Sequence, residues 1–117
     1  MVWTNRDQIT TVNRGSGLLL TWSGGDASKL VLIAGAGANS DTSAAAGFFC
    51  FVPAAPGQFT VPASMLANLP ASSSGSAIGA LVVGSVPSGG YPTFTASGLD
   101  FGMIINATLS AKTVALQ

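Results

Sequence analysis

Few residues in this chain can do chemistry. It carries four aspartates (Asp7, Asp26, Asp41, Asp100), one thiol (Cys50), four cations (Arg6, Arg14, Lys29, Lys112), and neither glutamate nor histidine. Without histidine, Ser-His and Cys-His nucleophile pairs are excluded, and no Gly-x-Ser-x-Gly elbow occurs. Cys50 sits between phenylalanines in "GFFCFVP" (47–53), where desolvation raises a thiol pKa and silences it. Zinc finds no imidazole and only that one thiol. Calcium is better served by "ANSDTS" (38–43), which offers Asn39, Asp41 and hydroxyls. A tight calcium site gathers several carboxylates, and this loop has one. Asp26 follows Gly24-Gly25 and Asp100 follows Gly98-Leu99, turn positions where aspartate bonds its own backbone. The sequence therefore assigns no catalytic residue, no metal and no cofactor, and the expectation is a protein that is not an enzyme.

Two motifs resemble sites and are better explained otherwise. "KLVLIAGAGANS" (29–40) runs from an apolar stretch into Gly-x-Gly, but Ser40 stands where a dinucleotide fingerprint needs its third glycine. About nine residues separate Gly37 from the next predicted strand, too few for a crossover helix. "NAT" (106–108) matches a glycosylation acceptor but falls in a predicted strand. A sugar-binding face would need exposed aromatic platforms beside polar groups. The candidates are Trp3 with Asn5, Arg6 and Asp7, together with Tyr91, against the simpler reading that Trp3 caps one end of the fold and Tyr91 packs at a strand start.

Composition narrows the partners. The 117 residues are 48% hydrophobic and 7% charged, with zero net charge. Four scattered cations cannot build the basic stripe that nucleic acid requires or the polybasic patch of a membrane-surface contact. No apolar run approaches the ~20 residues that span a bilayer. The N-terminus "MVWTNRDQ" carries no signal-peptide pattern, and one cysteine leaves the compartment open.

The length fits one domain, 1–117. Short runs rich in Val, Ile, Leu, Phe and Thr alternate with Gly/Ser/Pro/Asn/Asp clusters, the texture of an all-β fold. Strands are predicted near Ile9–Val12, Leu18–Trp22, Leu30–Ala34, Gly47–Val52, Gln58–Val61, Ala77–Val83, Thr93–Ala96 and Met103–Ala115, the last as one strand or two. "SGGD" (23–26), "AGAGANSDTSAAA" (34–46), "PAAPG" (53–57), "ASSSGS" (71–76) and "VPSGG" (86–90) punctuate them. In "VPASMLANLP" (61–70), Pro62 suits a first helical position and Met65, Leu66 and Leu69 follow at helical spacing, so one short helical turn is expected near 62–69. This strand spacing favours a β-sandwich over a small barrel.

The period of two gives each strand a face. Thr21 and Ser23 mark the outside, sending Leu18, Leu20 and Trp22 inward. Phe59 and Val61 point inward, as do the odd positions of 105–110. In "AGFFCFVP" (46–53) both faces are apolar. Taking Cys50 as an interior residue places Phe48 and Val52 inside and Phe49 and Phe51 outside. Leu19 and Ile104 then also face out.

In this order, "WTNRDQITTVNR" (3–14), "GLLLTWSGGD" (17–26), "FFCFVPAAPGQFTVPASMLANLP" (48–70) and "FTASGLDFG" (94–102) resemble an uncharacterised domain at the C-terminal ends of long secreted proteins of acidobacterial type. The resemblance implies an immunoglobulin-like β-sandwich of about 7–9 strands, an extracellular or cell-surface setting, and a C-terminal module of a longer chain. It brings no activity with it. The counterpart of Phe49 in that family is often polar, so phenylalanine here makes the outer surface stickier.

The expectation is a structural or docking module of a secreted or surface protein, with carbohydrate or matrix binding as the alternative. Phe49, Phe51 and Leu19, with Val31 or Ile33 beside them, are expected to form an exposed apolar patch. Such a patch meets a neighbouring domain of the same chain or a second copy of itself, unless the 34–46 loop folds over it.

Overall fold

The computed structural model describes residues 1–72 and 79–117. They form an all-β sandwich of ten strands: β1 (Val2–Trp3), β2 (Thr11–Val12), β3 (Leu18–Ser23), β4 (Leu30–Asn39), β5 (Ala44–Pro53), β6 (Gln58–Val61), β7 (Gly79–Val86), β8 (Thr93–Phe94), β9 (Gly102–Met103) and β10 (Thr108–Leu116). One layer is the three-stranded sheet β1-β3-β6. The other is the five-stranded sheet β2-β10-β7-β4-β5, and β8-β9 make a separate small hairpin. All pairings are antiparallel except β2 with β10, which is parallel.

The core lies between the two layers. Leu20, Trp22 and Val61 come from one sheet, and Val31, Ile33, Leu81, Val83, Val114 and Leu116 from the other. Burying such side chains contributes roughly 1.5–3 kcal/mol each. The helical turn predicted near 62–69 is α1 (Ala63–Leu66), with Pro62 just outside it as its cap, and Leu66 and Leu69 enter the core. It carries the chain away from β6, in one sheet, towards β7, in the other. A 3-10 turn at Arg6–Gln8 separates β1 from β2, so the N-terminal segment pairs first with one sheet and then with the other. The expected strand at Ile9–Val12 is thereby reduced to Thr11–Val12, with Ile9 buried just ahead of it.

Several expectations need correction. The segment 34–46 is not a loop: β4 continues to Asn39, β5 begins at Ala44, and only a tight turn at 40–43 lies between them. Alanine and glycine have weak strand preference, but here they are required by space. A Cβ on Gly35 would stand 2.5 Å from the Phe48 ring, and one on Gly37 would strike Leu116. The turn closes on Asn39, whose Oδ1 accepts from the N–H groups of Asp41 (2.9 Å) and Thr42 (3.2 Å). Ser43 takes a φ of 51° to complete it.

The inward set expected at 105–110 is not inward: residues 105–109 are all exposed, and within β10 the inward positions are the even ones. Ile105, Ala107 and Leu109 are exposed, and β10 starts only at Thr108, with Val114 and Leu116 as its buried residues. Reading a strand phase through 105–107, which is not strand, inverted the assignment. Val31 and Ile33 are fully buried rather than outward. The strand predicted at Thr93–Ala96 spans only Thr93–Phe94. Of the predicted strand Ala77–Val83, positions 77 and 78 lie outside the described residues, as does most of "ASSSGS" (71–76), and the described strand runs on to Val86.

Candidate docking surface

The phase deduced for "AGFFCFVP" holds. Val52 is buried, Phe48 and Cys50 are half-buried against the core, and Phe49 and Phe51 stand 70% and 52% exposed. The two exposed rings meet edge to face, centroids 6.1 Å apart at 72°, a favourable geometry for aromatic pairs.

Register places these rings at one side of a broad apolar face. Directly opposite residues in a ladder share a face. Phe51 pairs with Leu32, Leu32 with Gly84, and Gly84 with Leu109. The next row is Phe49, Ala34, Val82 and Ala111, and the one after it Gly47, Ala36, Ala80 and Thr113. No charged side chain stands in these rows. The third row is a shallow trough of alanine and glycine beside the Phe49 wall, lined by Ala34, Ala36, Gly47 and Ala80.

Leu19 does not join this face. It is 47% exposed, but on β3, where it pairs with Thr60 of the three-stranded sheet. The core separates it from Phe49 and Phe51, so the structure brings two of the three expected interface residues together. Strand phase tells inside from outside but not which sheet's outside. Leu32, Ala34 and Val82 were missed because in apolar runs no polar residue marks the outer phase, and Leu109 and Ala111 because the phase of β10 was inverted. Nor does 34–46 cover the patch, because those residues are the arms of the β4-β5 ladder.

A second apolar region was anticipated only at Ile104. Between β7 and β10 the chain runs from 87 to 107, and Phe94, Leu99, Phe101, Met103, Ile104 and Ile105 are all exposed there. Ile104 stands outward as its strand phase predicts, Ile105 was assigned inward, and Leu99 and Phe101 fall between predicted strands, where period two assigns no face.

The cluster weighed for sugar binding loses its tryptophan platform. Trp3 is only 5% exposed, so it offers no platform. Its Nε1–H donates to Asn5 Oδ1 (2.9 Å), which also accepts from the Thr21 N–H, while Asn5 Nδ2 donates to the Leu19 carbonyl. Arg6 donates to the Ala111 carbonyl and makes a long contact of 3.4 Å with Asp7. Tyr91 lies on the 87–107 segment, its hydroxyl donating to the Pro87 carbonyl (3.2 Å). These contacts occupy the Trp3 and Asn5 polar atoms, while the Asp7 carboxylate stays exposed.

The remaining reactive groups are dispersed. Burial pushes the Cys50 thiol up, away from nucleophilic use. Asp26 Oδ1 accepts from the hydroxyl (2.6 Å) and the N–H (2.9 Å) of Ser28, which hold its carboxyl below the usual range. Among the described residues no three metal-ligating side chains gather. Gly35 and Gly37 of the dinucleotide-like motif lie within β4, with a tight turn after them and no helix. No protein-family model, curated protein or solved structure matches the chain.

Proposed function

We propose that the protein is a non-enzymatic docking module of immunoglobulin-like topology, set within a larger secreted or surface protein. It works through the outer face of its five-stranded sheet. The observation that carries this reading is the apolar face itself, with Phe49 and Phe51 uncovered and uncharged rows beside them. Contiguous apolar patches above a few hundred Å² mark interaction surfaces in soluble proteins. The chain's eight charged residues provide little to hold such a face apart from another.

The immunoglobulin-like assignment draws support from the strand order. β1-β3-β6 against β10-β7-β4-β5 follows the A-B-E and G-F-C-C′ layers of variable-type domains, with a short helical turn between β6 and β7. The extracellular setting rests on the resemblance of the Trp-Thr-Asn-Arg opening and the Thr-Trp-Ser-Gly-Gly-Asp hairpin. The non-enzymatic reading rests on the absence of histidine from the chain and on an unreactive, half-buried thiol.

The test is the double variant Phe49→Thr with Phe51→Thr, followed by light scattering and thermal melting. Loss of association with stability retained supports a docking face. A variant that unfolds from a monomeric parent shows both rings serving the fold of the single copy, and overturns the reading.

A further inference from the structure

The five-stranded sheet is finished differently at its two edges. On one side β2 covers only Ala115 and Leu116 of β10, and further along the Arg6 guanidinium caps the Ala111 carbonyl. A short edge strand and a cation are among the devices that keep sheet edges from pairing. On the other side β5 runs ten residues, and no described strand lies beside it. It carries no charge and no proline before Pro53.

The groups on that open edge can be identified. Ala54 N–H donates to the Lys29 carbonyl at 3.1 Å, which makes 29 and 54 a hydrogen-bonded pair. Such pairs alternate along an antiparallel ladder, and the register is 30↔53 through 39↔44. Val52, Cys50, Phe48 and Ala46 therefore bond β4. Phe51, Phe49, Gly47 and Ala45 turn their N–H and C=O groups to the open side. Exposed backbone of this kind is a template for a further strand.

Those same four residues carry their side chains on the outer face, in the order small, none, large, large. An antiparallel two-fold reverses that order. Centred on Phe48, it sets Phe49 against Gly47 of the second copy and Phe51 against its Ala45. Each ring fills the space its opposite number leaves, and each of these pairs exchanges both of its hydrogen bonds. The strand is thus complementary to itself, and with no charge on it nothing repels an identical strand.

We infer that β5 pairs with β5 of a second copy about a two-fold axis at Phe48, joining the two five-stranded sheets into one. This rests on the docking reading and names its partner. Such an interface is isologous and closed, so it ends at a dimer. The edge is about 33 Å long and about 10 Å deep with its side chains. With the exposed parts of two rings it buries on the order of 500 Å² per copy, and on the order of 1,000 Å² in all, where specific interfaces begin.

The register makes a sharp test through the native thiol. It sets Ala46 directly opposite Cys50 of the other copy, in a non-hydrogen-bonded pair with Cα atoms about 4.5 Å apart, inside the span of about 4.4–6.8 Å that a disulfide bridges. Within one copy, positions 46 and 50 of the same strand stand about 13 Å apart, so no internal disulfide competes. Ala46→Cys, oxidised mildly and run without reductant, is expected to convert almost wholly to a covalent dimer. The parent and Ala44→Cys are expected to stay uncrosslinked. A parent that links through Cys50 to Cys50, or an Ala44→Cys that links in place of Ala46→Cys, overturns the register. Ala45→Pro removes one outward N–H and leaves the bonds to β4 intact. It is expected to be monomeric by light scattering and to melt cooperatively at a temperature independent of protein concentration, and continued association overturns the pairing. A parent that associates and loses association on Phe49→Thr with Phe51→Thr, while Ala46→Cys stays uncrosslinked, overturns the strand pairing and leaves the docking face standing. A parent that is monomeric at its highest soluble concentration overturns the second copy as partner.

Discussion

The Arg6 guanidinium donates to the Ala111 carbonyl oxygen from Nε (3.2 Å) and from Nη2 (3.0 Å), tying the 3-10 turn after β1 to the last strand. The contact has a reason in the topology. β2 follows β10 only along Ala115 and Leu116, so the edge of β10 before them needs another partner. A planar cation with several donors suits a lone carbonyl better than an ammonium does.

Replacing Arg6 with alanine should therefore cost about 1–1.5 kcal/mol in urea unfolding, below the usual range for bonds to a charged group because the side chain is partly exposed. The same variant should aggregate more readily on heating, since it uncovers the edge. Asp7→Asn should change stability by less than about 0.5 kcal/mol, because its contact with Arg6 is long and solvent-exposed. Equal losses from both variants would show that the ion pair, and not the carbonyl, is what Arg6 serves.

Trp22 is buried in the core, and its Nε1–H donates to the Ala54 carbonyl at 2.9 Å. Trp22→Ala should destabilise by about 3–5 kcal/mol and approach the whole stability of a domain this size. Trp22→Phe keeps most of the packing but removes the donor, so its cost should be smaller, about 1–3 kcal/mol. An unchanged unfolding midpoint for the alanine variant would contradict the inward phase of β3.

The strands legible in the sequence were those in which polar residues break the apolar run. Thr21 and Ser23 fixed the faces of β3, and Gln58 and Thr60 fixed those of β6. Cys50 settled β5, where polarity could not. The arms of β4 and β5 were illegible for a related reason. Their alanines and glycines carry little strand preference, and the cause of each glycine, such as the Phe48 ring over Gly35, is a contact between strands that only register reveals. Leu19 was correctly outward, but its pairing with Thr60 sets it on the opposite side of the sandwich. The polar neighbours of Trp3 left two readings, a surface platform or a cap on one end of the fold; in the fold Asn5 turns back to bind it, and the ring is buried.

Gly84 offers a test of that close packing. A Cβ there would meet Leu109 and stand 2.5 Å from the Thr108 carbonyl oxygen. Backbone cannot rotate aside, so Gly84→Ala should cost about 2–3 kcal/mol, as overpacking does. Gly35→Ala meets only side chains at such range, the Phe48 ring and Leu81, and should cost less. Equal or reversed losses would place the β7-β10 approach wider than it stands.

The pH dependence of stability should be simple. No histidine is present, so no side chain with an ordinary pKa between about pH 5 and 8 is available to titrate. The Asp26 carboxyl is held low, first by the Ser28 hydroxyl and then by its N–H. A carboxyl lowered on folding contributes stability above its unfolded pKa of about 3.9, and that contribution is lost as pH falls through the lower folded value. Urea midpoints should thus be flat from about pH 5 to 8 and fall below about pH 4, with a shallower acid decline in Asp26→Asn. A slope near neutral pH would contradict this.

The turn at 40–43 should hold without metal. Its organising group is Asn39, whose Oδ1 already accepts from the Asp41 and Thr42 N–H groups while Nδ2 donates to the Ala71 carbonyl at 2.8 Å. Calcium takes six to eight oxygens, and Asp41 is the only carboxylate in the turn. Chelator should therefore leave the melting temperature within about 2 °C of its starting value, whereas an ion bound only by the folded state would contribute several kcal/mol by linkage. Asn39→Ala removes all three bonds and should cost about 1–3 kcal/mol; Asp41→Ala should cost less than about 0.5 kcal/mol, as exposed substitutions do. If chelator lowers the melting temperature further, and Asp41→Ala abolishes that sensitivity, the turn is a cation site and Asn39 is one of its ligands.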